Sequence, residues 1–190
     1  MSRTVSRWAL VIAIGGGVLM IDQAVKNLVV QRLALGESWV PLPLLGEWLR
    51  ITRSHNTGAA FGMFPMASNF FLLLALITIT VFLIGYPRLP EWARFSRIGV
   101  ALITGGALSN VIDRLRFDHV IDYVHVQLTA GFSNISNLGD HAITVGVILL
   151  LIDQWLAERR REAARGAAQA VDPTAGDPQE EANVNAPSTD

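Results

Sequence analysis

The sequence predicts a mainly α membrane protein, with four transmembrane helices, a small β element and extracytoplasmic loops on the outer face. Of its 190 residues, 51% are hydrophobic and only 16% are charged, whereas soluble domains carry about 25% charged residues. The mean hydropathy is +0.39, and the apolar residues are grouped in runs long enough to cross a bilayer. The predicted spans cover about residues 8–30, 69–86, 98–112 and 139–156.

The first span follows a short basic segment. Arg3 and Arg7 precede an apolar run, a pattern that also opens secretory signal peptides. However, no small-residue cleavage site follows this run, and the apolar sequence resumes beyond Asp22 and Lys26. We therefore predict one membrane helix over residues 8–30, with its polar end near the outer interface.

The segments that follow the first and third spans predict the β element. Residues 39–40 and 48–53 have strand-like composition, and residues 120–128 alternate loosely between apolar and polar side chains. A sheet edge cannot face hydrocarbon, so this element should lie at or above the membrane interface. The third span is rich in small residues, and Gly105-Gly106-Ala107 lets neighbouring helices approach closely.

The arginines predict how the chain is oriented. They cluster at the N-terminus, in the loop at residues 88–97 and after the fourth span, so the positive-inside rule places both termini in the cytoplasm. Residues 31–68 and 113–138 then face outward. We expect residues 1–165 to form one four-span domain. Residues 166–190 have almost nothing apolar to bury and are predicted to be a disordered cytoplasmic tail.

Composition argues against several kinds of chemistry. The chain has no cysteine, which excludes disulfides, thiolate nucleophiles and cysteine-ligated metals, and its net charge of -1 does not suggest a nucleic-acid partner. Asp118, His119, Asp122 and His125 could suggest a metal site. A strand over residues 120–128 would direct His119 and Asp122 to opposite faces. We predict neither a metal nor a cofactor.

Two aspartates at the margins of apolar runs are the candidates for catalysis. Asp122 lies in Val-Ile-Asp-Tyr-Val, and Asp140 opens the last hydrophobic segment. An acid at membrane depth is costly and therefore suggests function. Two acids that converge could share a proton and activate water. The alternative for Asp140 is a helix N-cap.

Two further groups of polar residues accompany the spans. Asp22 and Lys26 share a helix face at i, i+4, and they could tie the site together or form a snorkelling interfacial pair. Asn110, Asp113 and Arg114 lie within about one helical turn. Arg114 could bind a phosphate or carboxylate, and the alternative is glycine-mediated helix packing with an interfacial ion pair.

Taken together, these motifs resemble the lipoprotein signal peptidase (signal peptidase II) family over about residues 8–156. The resemblance implies that Asp122 and Asp140 are the catalytic pair of an aspartic protease. It also implies that other matching residues arrange the site and the substrate or lie close by. These are Asn56, Gly58, Asn110, Arg114, Asn137, Asp22 and Lys26. The matching segments are residues 22–26, 56–62, 105–114, 120–123 and 137–140.

The same resemblance implies a substrate and a location. The expected substrate is a prolipoprotein whose lipobox cysteine already carries a diacylglyceryl group, cleaved immediately before that cysteine without a metal. The expected location is the bacterial inner membrane, as a multi-pass protein in contact with membrane lipids. We expect a monomer.

The last motif departs from the family pattern. Ser136 replaces an aromatic residue, Gly139 replaces alanine, and His141 follows the acid. An imidazole beside Asp140 could shift the pH optimum of the pair. These departures leave open a catalytically altered family member that acts as a lipoprotein-binding or membrane scaffold protein. A four-span transporter and a metal hydrolase are further alternatives.

Overall fold

Four long helices and a small antiparallel sheet are the main elements of the part of the chain that the structure describes. The computed structural model describes residues 3–58, 67–128 and 131–171. The described residues divide into two compact units after Asp153. The helices are α1 (Arg3–Arg32), α2 (Ala67–Gly85), α3 (Arg94–Phe117) and α4 (Leu138–Val171). The strands are β1 (Ser38–Trp39), β2 (Leu49–Asn56), β3 (Val120–Gln127) and β4 (Ser133–Ser136).

Each of the four helices is long and apolar enough to cross a membrane. The candidate spans are Trp8–Arg32, Ser68–Arg88, Arg94–Phe117 and Leu138–Ala167. The predicted fold class is therefore confirmed. The third helix is longer than its predicted apolar core at residues 98–112, because the polar residues that flank this core continue the helix.

Helix α3 lies at the centre of the bundle. The most apolar stretch of α3 is 67% buried, against 17% or less for the other three spans. Small residues bring its neighbours close, since a Cβ atom at Gly105 would overlap the backbone of Gly15 in α1. A Cβ atom at Gly106 would likewise overlap the carbonyl group of Gly139 in α4. The glycine pairs therefore fix how α1 and α4 cross α3.

Helix α4 also contacts the beginning of α3. The backbone N–H of Ser96, in the first turn of α3, donates to Asp153 Oδ2 at 2.7 Å, and both residues are buried. A carboxylate at a helix N-terminus satisfies an otherwise unpaired N–H group and interacts favourably with the helix dipole. Asp153 thus stabilises the start of the central helix.

The four strands form one sheet in the order β1-β2-β3-β4, with all neighbours antiparallel. A register shift lies between Ile51 and Ser54 in β2. Asp118 ends α3 with a left-handed backbone (φ 61°), and its N–H donates to Arg114 O at 3.0 Å. This turn directs the chain from α3 into β3. The sequence predicted β2 and β3 and, with its strand-like residues 39–40, part of β1, whereas β4 was not predicted.

Helix α4 continues beyond the predicted limits of the fourth span. It reaches Val171 and so includes the first six residues of the predicted tail at 166–190. Residues 172–190 lie outside the described part of the chain, as do residues 59–62 of the 56–62 motif. The expected outer and cytoplasmic faces remain predictions.

Candidate active site

Asp122 lies in β3 and is almost fully buried, with 2% of its surface exposed. Both of its carboxylate oxygens accept hydrogen bonds from neutral amides. Asn56 Nδ2 donates to Oδ2 at 2.9 Å, and Asn137 Nδ2 donates to Oδ1 at 2.6 Å. Asn56 ends β2, opposite Val120. The sheet register therefore brings Asn56 beside Asp122.

Gly58 orients the Asn56 amide. The backbone N–H of Gly58 donates to Asn56 Oδ1 at 2.8 Å. With this oxygen accepting a bond, the amide nitrogen is the atom that faces Asp122. Gly58 has φ +83°, and an added Cβ atom would overlap the ring of Phe71. Both the backbone conformation and the space at this position therefore favour glycine.

Asn137 joins the two candidate catalytic acids. Its Oδ1 accepts the backbone N–H of Asp140 at 2.9 Å while its Nδ2 donates to Asp122. Asn137 immediately precedes Leu138, the first residue of α4, so this bond makes it the N-cap. The interpretation of Asp140 as the N-cap was wrong, because Asp140 is the third residue of the helix. Its carboxylate Oδ1 accepts a bond from Asn110 Nδ2 at 2.8 Å.

The two carboxyl groups are close enough to affect each other electrostatically. Burial is the largest effect on Asp122 and raises its pKa, and the charge of Asp140 raises it further. Hydrogen bonds from Asn56 and Asn137, and the charge of Lys26, act in the opposite direction. The net result is a pKa of about 6 for Asp122. A carboxyl with this pKa can hold or release a proton near neutral pH.

A buried ionic cluster lies beside the two acids. Lys26 Nζ is 2.7 Å from Asp22 Oδ2 and 2.8 Å from Asp113 Oδ2. None of these three side chains is more than 1% exposed. The interpretation of Asp22 and Lys26 as a snorkelling interfacial pair was therefore wrong. Lys26 Nζ also donates to Asn110 Oδ1 at 2.9 Å, which holds the amide that bonds to Asp140.

Neutral donors complete the hydrogen bonding of the two carboxylates in the cluster. Gln23 Nε2 donates to Asp113 Oδ1 at 2.7 Å, and Ser109 Oγ donates to Asp22 Oδ2 at 2.6 Å. Tyr123 donates its hydroxyl to Asp22 Oδ1 at 2.9 Å. Burial, together with the charge of Asp22, raises the pKa of Tyr123, so the hydroxyl stays protonated. Such complete pairing is what makes a buried ionic cluster tolerable.

Sequence reasoning missed part of this cluster. The alternative given for residues 105–114, helix packing with an interfacial ion pair, does not describe Asp113, because this residue is fully buried against Lys26. Asp113 Oδ2 also accepts the backbone N–H of Ile121 at 3.0 Å, which ties β3 to α3. The spacing of Asn110 and Asp113 on one helix face was the signal available. Gln23, Ser109 and Tyr123 were also missed.

Arg114 borders the site from α3 and is half-buried. Its Nη1 donates to Asn110 O at 3.3 Å, and its guanidinium carbon lies 5.8 Å from the ring centroid of Phe71. The charges of Asp140 and Asp122 both act on this guanidinium. Within the described residues, Arg114 Nε is buried without a hydrogen-bond partner. Arg114 could therefore donate to a bound ligand.

The alternative metal residues do not converge. His119 stacks on His55 with ring centroids 3.7 Å apart, and His125 contacts the hydroxyls of Thr52 and Ser133. Across residues 3–58, 67–128 and 131–171, no group of three or more histidine, aspartate or glutamate side chains could hold a metal ion. The grouping of Asp118, His119, Asp122 and His125 was therefore wrong.

Two of the unusual residues in the last motif contact each other. His141 Nε2 and Ser136 Oγ are 3.2 Å apart. A serine in place of the expected aromatic residue thus provides a hydrogen-bond partner for the imidazole. The nine site residues predicted from the sequence all lie in or beside the hydrogen-bonded network around Asp122 and Asp140.

Comparisons with known proteins agree with this architecture. The family described as signal peptidase (SPase) II matches residues 11–156. A lipoprotein signal peptidase of Anoxybacillus flavithermus is 35% identical over 154 residues, covering 81% of this chain and 90% of that protein. A lipoprotein signal peptidase of Pseudomonas paraeruginosa is 32% identical over 154 residues, covering 78% of this chain and 89% of that protein.

Solved structures give the same result for the fold. A bacterial membrane enzyme structure determined by the in meso method at 1.9 Å resolution has a TM-score of 0.68 and 28% sequence identity, covering 75% of this chain and 90% of that chain. Another, at 2.3 Å resolution, has a TM-score of 0.66 and 25% identity, covering 88% and 92%. The sequence match extends over all four helices, and the protein belongs to the signal peptidase II family of bacterial membrane proteases.

Proposed function

We propose that this protein is an aspartic endopeptidase that removes signal peptides from diacylglyceryl-modified prolipoproteins. It cleaves immediately before the lipidated cysteine. The observation that carries this proposal is the bridge between the two acids. Asn137 bonds to Asp122 with its amide nitrogen and to the backbone of Asp140 with its oxygen. Family membership supports the substrate class, because the curated relatives are lipoprotein signal peptidases.

The two carboxyl groups act as one acid–base pair. The ionised carboxyl accepts a proton from water while the water oxygen bonds to the scissile carbonyl carbon. The other carboxyl donates its proton to the carbonyl oxygen. When the tetrahedral intermediate collapses, the C–N bond breaks and the leaving nitrogen takes the proton held by the first carboxyl. The hydroxyl proton returns to the second carboxyl.

The pair shares its proton, so neither residue alone is the acid. A pKa of about 6 for Asp122 supports this, because one proton can remain on the pair near neutral pH. Neutral amides from Asn56 and Asn137 orient Asp122 without adding a positive charge. A direct cation would instead favour the fully ionised pair.

The remaining site residues position the pair and the substrate. Lys26, held by Asp22 and Asp113, fixes the Asn110 oxygen and thereby directs its amide toward Asp140. The half-buried guanidinium of Arg114, beside Phe71 and the two acids, is suited to donate to a peptide carbonyl of the substrate. The scissile bond would then lie where β3 meets the N-terminus of α4.

The proposed site lies on the outer side of the bacterial inner membrane. The positive-inside distribution of arginines supports cytoplasmic termini for a monomeric chain with four spans. The ends of α1 and α3 near the sheet would then face outward. Water reaches this level of the membrane, and peptide hydrolysis requires it.

The test is cleavage of a synthetic diacylglyceryl-modified lipobox peptide by the purified full chain. Asp122→Asn and Asp140→Asn should each abolish cleavage while leaving folding and membrane insertion intact. Asp118→Asn is the matched control, because Asp118 is exposed and asparagine also adopts its left-handed backbone. It should cleave at the wild-type rate.

Two outcomes would contradict the proposal. Near-normal cleavage by either Asp122→Asn or Asp140→Asn would remove the acid pair from the chemistry. Binding of the lipidated peptide by the wild-type chain without any turnover would favour the alternative of a lipoprotein-binding or scaffold protein. We also propose that the diacylglyceryl group lies between the membrane spans, so the same peptide without its lipid should be a poor substrate.

A further inference from the structure

An apolar groove lies outside the acid pair and its hydrogen-bonded network. It has a volume of about 620 Å³ and runs between the C-terminal half of α1 and strands β1 and β2. Val25 and Leu28 line it from the helix, and Trp39 and Ile51 line it from the strands. Its volume falls within the range of about 300–1,000 Å³ that is typical of small-molecule sites.

Two side chains of opposite charge line the same groove. Arg32 ends α1, and Glu37 lies just before β1. Arg32 is exposed, so its guanidinium can approach a headgroup without first leaving a buried position. Charges of both signs beside an apolar wall match an amphipathic ligand that carries a cation and an anion together.

The groove is held in shape by bonds that do not involve a ligand. Arg53 Nη1 donates to the carbonyl oxygens of Val30 and Leu33 at the end of α1, at 3.3 and 3.0 Å. Glu37 Oε2 accepts the backbone N–H of Ala34 at 2.7 Å, and its backbone oxygen accepts Arg53 N–H at 3.1 Å. The loop that joins α1 to β1 is therefore fixed relative to both walls, and the site is preformed.

The segment beside the groove presents large apolar side chains to its surroundings. Leu35 is 60% exposed, Leu42 55%, Leu44 92% and Trp48 53%. Exposed residues of this kind at the end of a membrane span are typical of contact with the lipid–water boundary. The groove therefore lies where the glycerophospholipids of one leaflet can reach it.

We propose that this groove binds one zwitterionic glycerophospholipid of the phosphatidylethanolamine type. One acyl chain lies along the apolar wall formed by Leu28 and Ile51. The phosphate accepts hydrogen bonds from Arg32, and the ammonium group lies toward Glu37. The diacylglyceryl group of a prolipoprotein carries neither charge, so the charged pair favours a membrane phospholipid over the substrate's own lipid.

Native mass spectrometry of the purified full chain in detergent tests this proposal. The protein is titrated with phosphatidylethanolamine, phosphatidylglycerol or diacylglycerol. We expect one tightly retained phosphatidylethanolamine, weaker retention of phosphatidylglycerol and the weakest retention of diacylglycerol. Arg32→Gln should weaken phosphatidylethanolamine binding about tenfold, the size expected for one hydrogen bond to a charged group.

Matched variants distinguish lipid binding in the groove from non-specific lipid contact elsewhere on the protein. Leu28→Trp should fill the groove and displace the lipid. Met20→Trp changes an exposed apolar residue of the same helix that does not line the groove, and it should bind as the wild type does. Arg116→Gln is the matched control for Arg32→Gln, because Arg116 is also an exposed arginine outside the groove.

Three results would overturn the proposal. They are equal retention of the three lipids, no loss in Arg32→Gln, or equal loss in the Leu28→Trp and Met20→Trp proteins. Preferred retention of diacylglycerol would instead identify the groove as a site for the substrate's lipid. Because the readout is binding, it is independent of the acid pair. The Asp122→Asn protein should bind phosphatidylethanolamine normally whether or not Asp122 is catalytic.

Discussion

Replacing Asp122 with asparagine should remove a titration that makes the folding stability depend on pH. Burial, reinforced by the charge of Asp140, raises the pKa of Asp122 from 3.8 to about 6. Between these two values, the folded protein holds a proton on this carboxyl that the unfolded chain has released. An asparagine side chain has nearly the same size and cannot titrate.

The sign and size of the effect follow from this difference. The folded state binds more protons over the interval, so the free energy of unfolding falls as the pH rises from about 4 to about 6. Below and above this interval, Asp122 adds no pH dependence. The change in pKa from 3.8 to about 6 corresponds to about 3 kcal/mol, at about 1.4 kcal/mol per pKa unit.

The assay is equilibrium unfolding of the wild-type and Asp122→Asn proteins in mixed micelles, at several values between about pH 4 and pH 7. All other titrating groups are common to both proteins, so the difference between their unfolding free energies reports the titration of Asp122 together with its coupling to Asp140. The wild type should lose about 3 kcal/mol relative to the variant across this range. A difference that stays constant with pH, or that changes in the opposite direction, would refute the reasoning.

Three further predictions concern the acid pair and its supports. The rate of cleavage should change near pH 6, the pKa of Asp122. The rate should fall above pH 6 if Asp122 donates the proton, and it should rise through pH 6 if Asp122 accepts one. A rate that does not depend on pH around this value would exclude a titrating role. Lys26→Met leaves Asp22 and Asp113 buried without their cation and should cost about 3–5 kcal/mol of stability, measured by unfolding in detergent. Asn137→Ser keeps a good N-cap but removes the amide that donates to Asp122, so it should lower the cleavage rate at least tenfold and the unfolding free energy by about 1–3 kcal/mol, the cost of an unpaired buried acceptor. A cleavage rate equal to that of the wild type would show that this amide does not position the acid.

The helices and two of the strands could be predicted because their information is local. Long apolar runs correspond to the four helices, and alternation in residues 48–53 and 120–128 corresponds to β2 and β3. Strand β4 offers no such pattern, since Ser133–Ser136 contains a single apolar residue. It forms because β3 provides a partner for its backbone groups, from Val124 opposite Ser136 to Gln127 opposite Ser133. That pairing depends on the tertiary fold.

The site shows the same division between local and long-range information. The motifs around Asp122 and Asp140 identified the candidate acids without a structure. The burial of Asp113 could not be found in this way, because its partner Lys26 lies on another helix and a charge at the end of a span is usually interfacial. The N-cap of α4 could have been predicted from the sequence, because an asparagine such as Asn137 followed three residues later by an acid is a common helix start.

The arrangement of charges around the two acids supports the proposal that they share a proton. Lys26 directs its hydrogen bonds to Asp22, Asp113, the Ser109 hydroxyl and the Asn110 oxygen. Asn110 in turn donates a hydrogen bond from its neutral amide to Asp140. Lys26 therefore fixes the position of the Asn110 side chain, while the positive charge of the Lys26 ammonium group stays one side chain away from Asp140. Had Lys26 contacted the acid pair directly, both carboxyls would favour the ionised form and neither could supply the proton that the proposed mechanism needs.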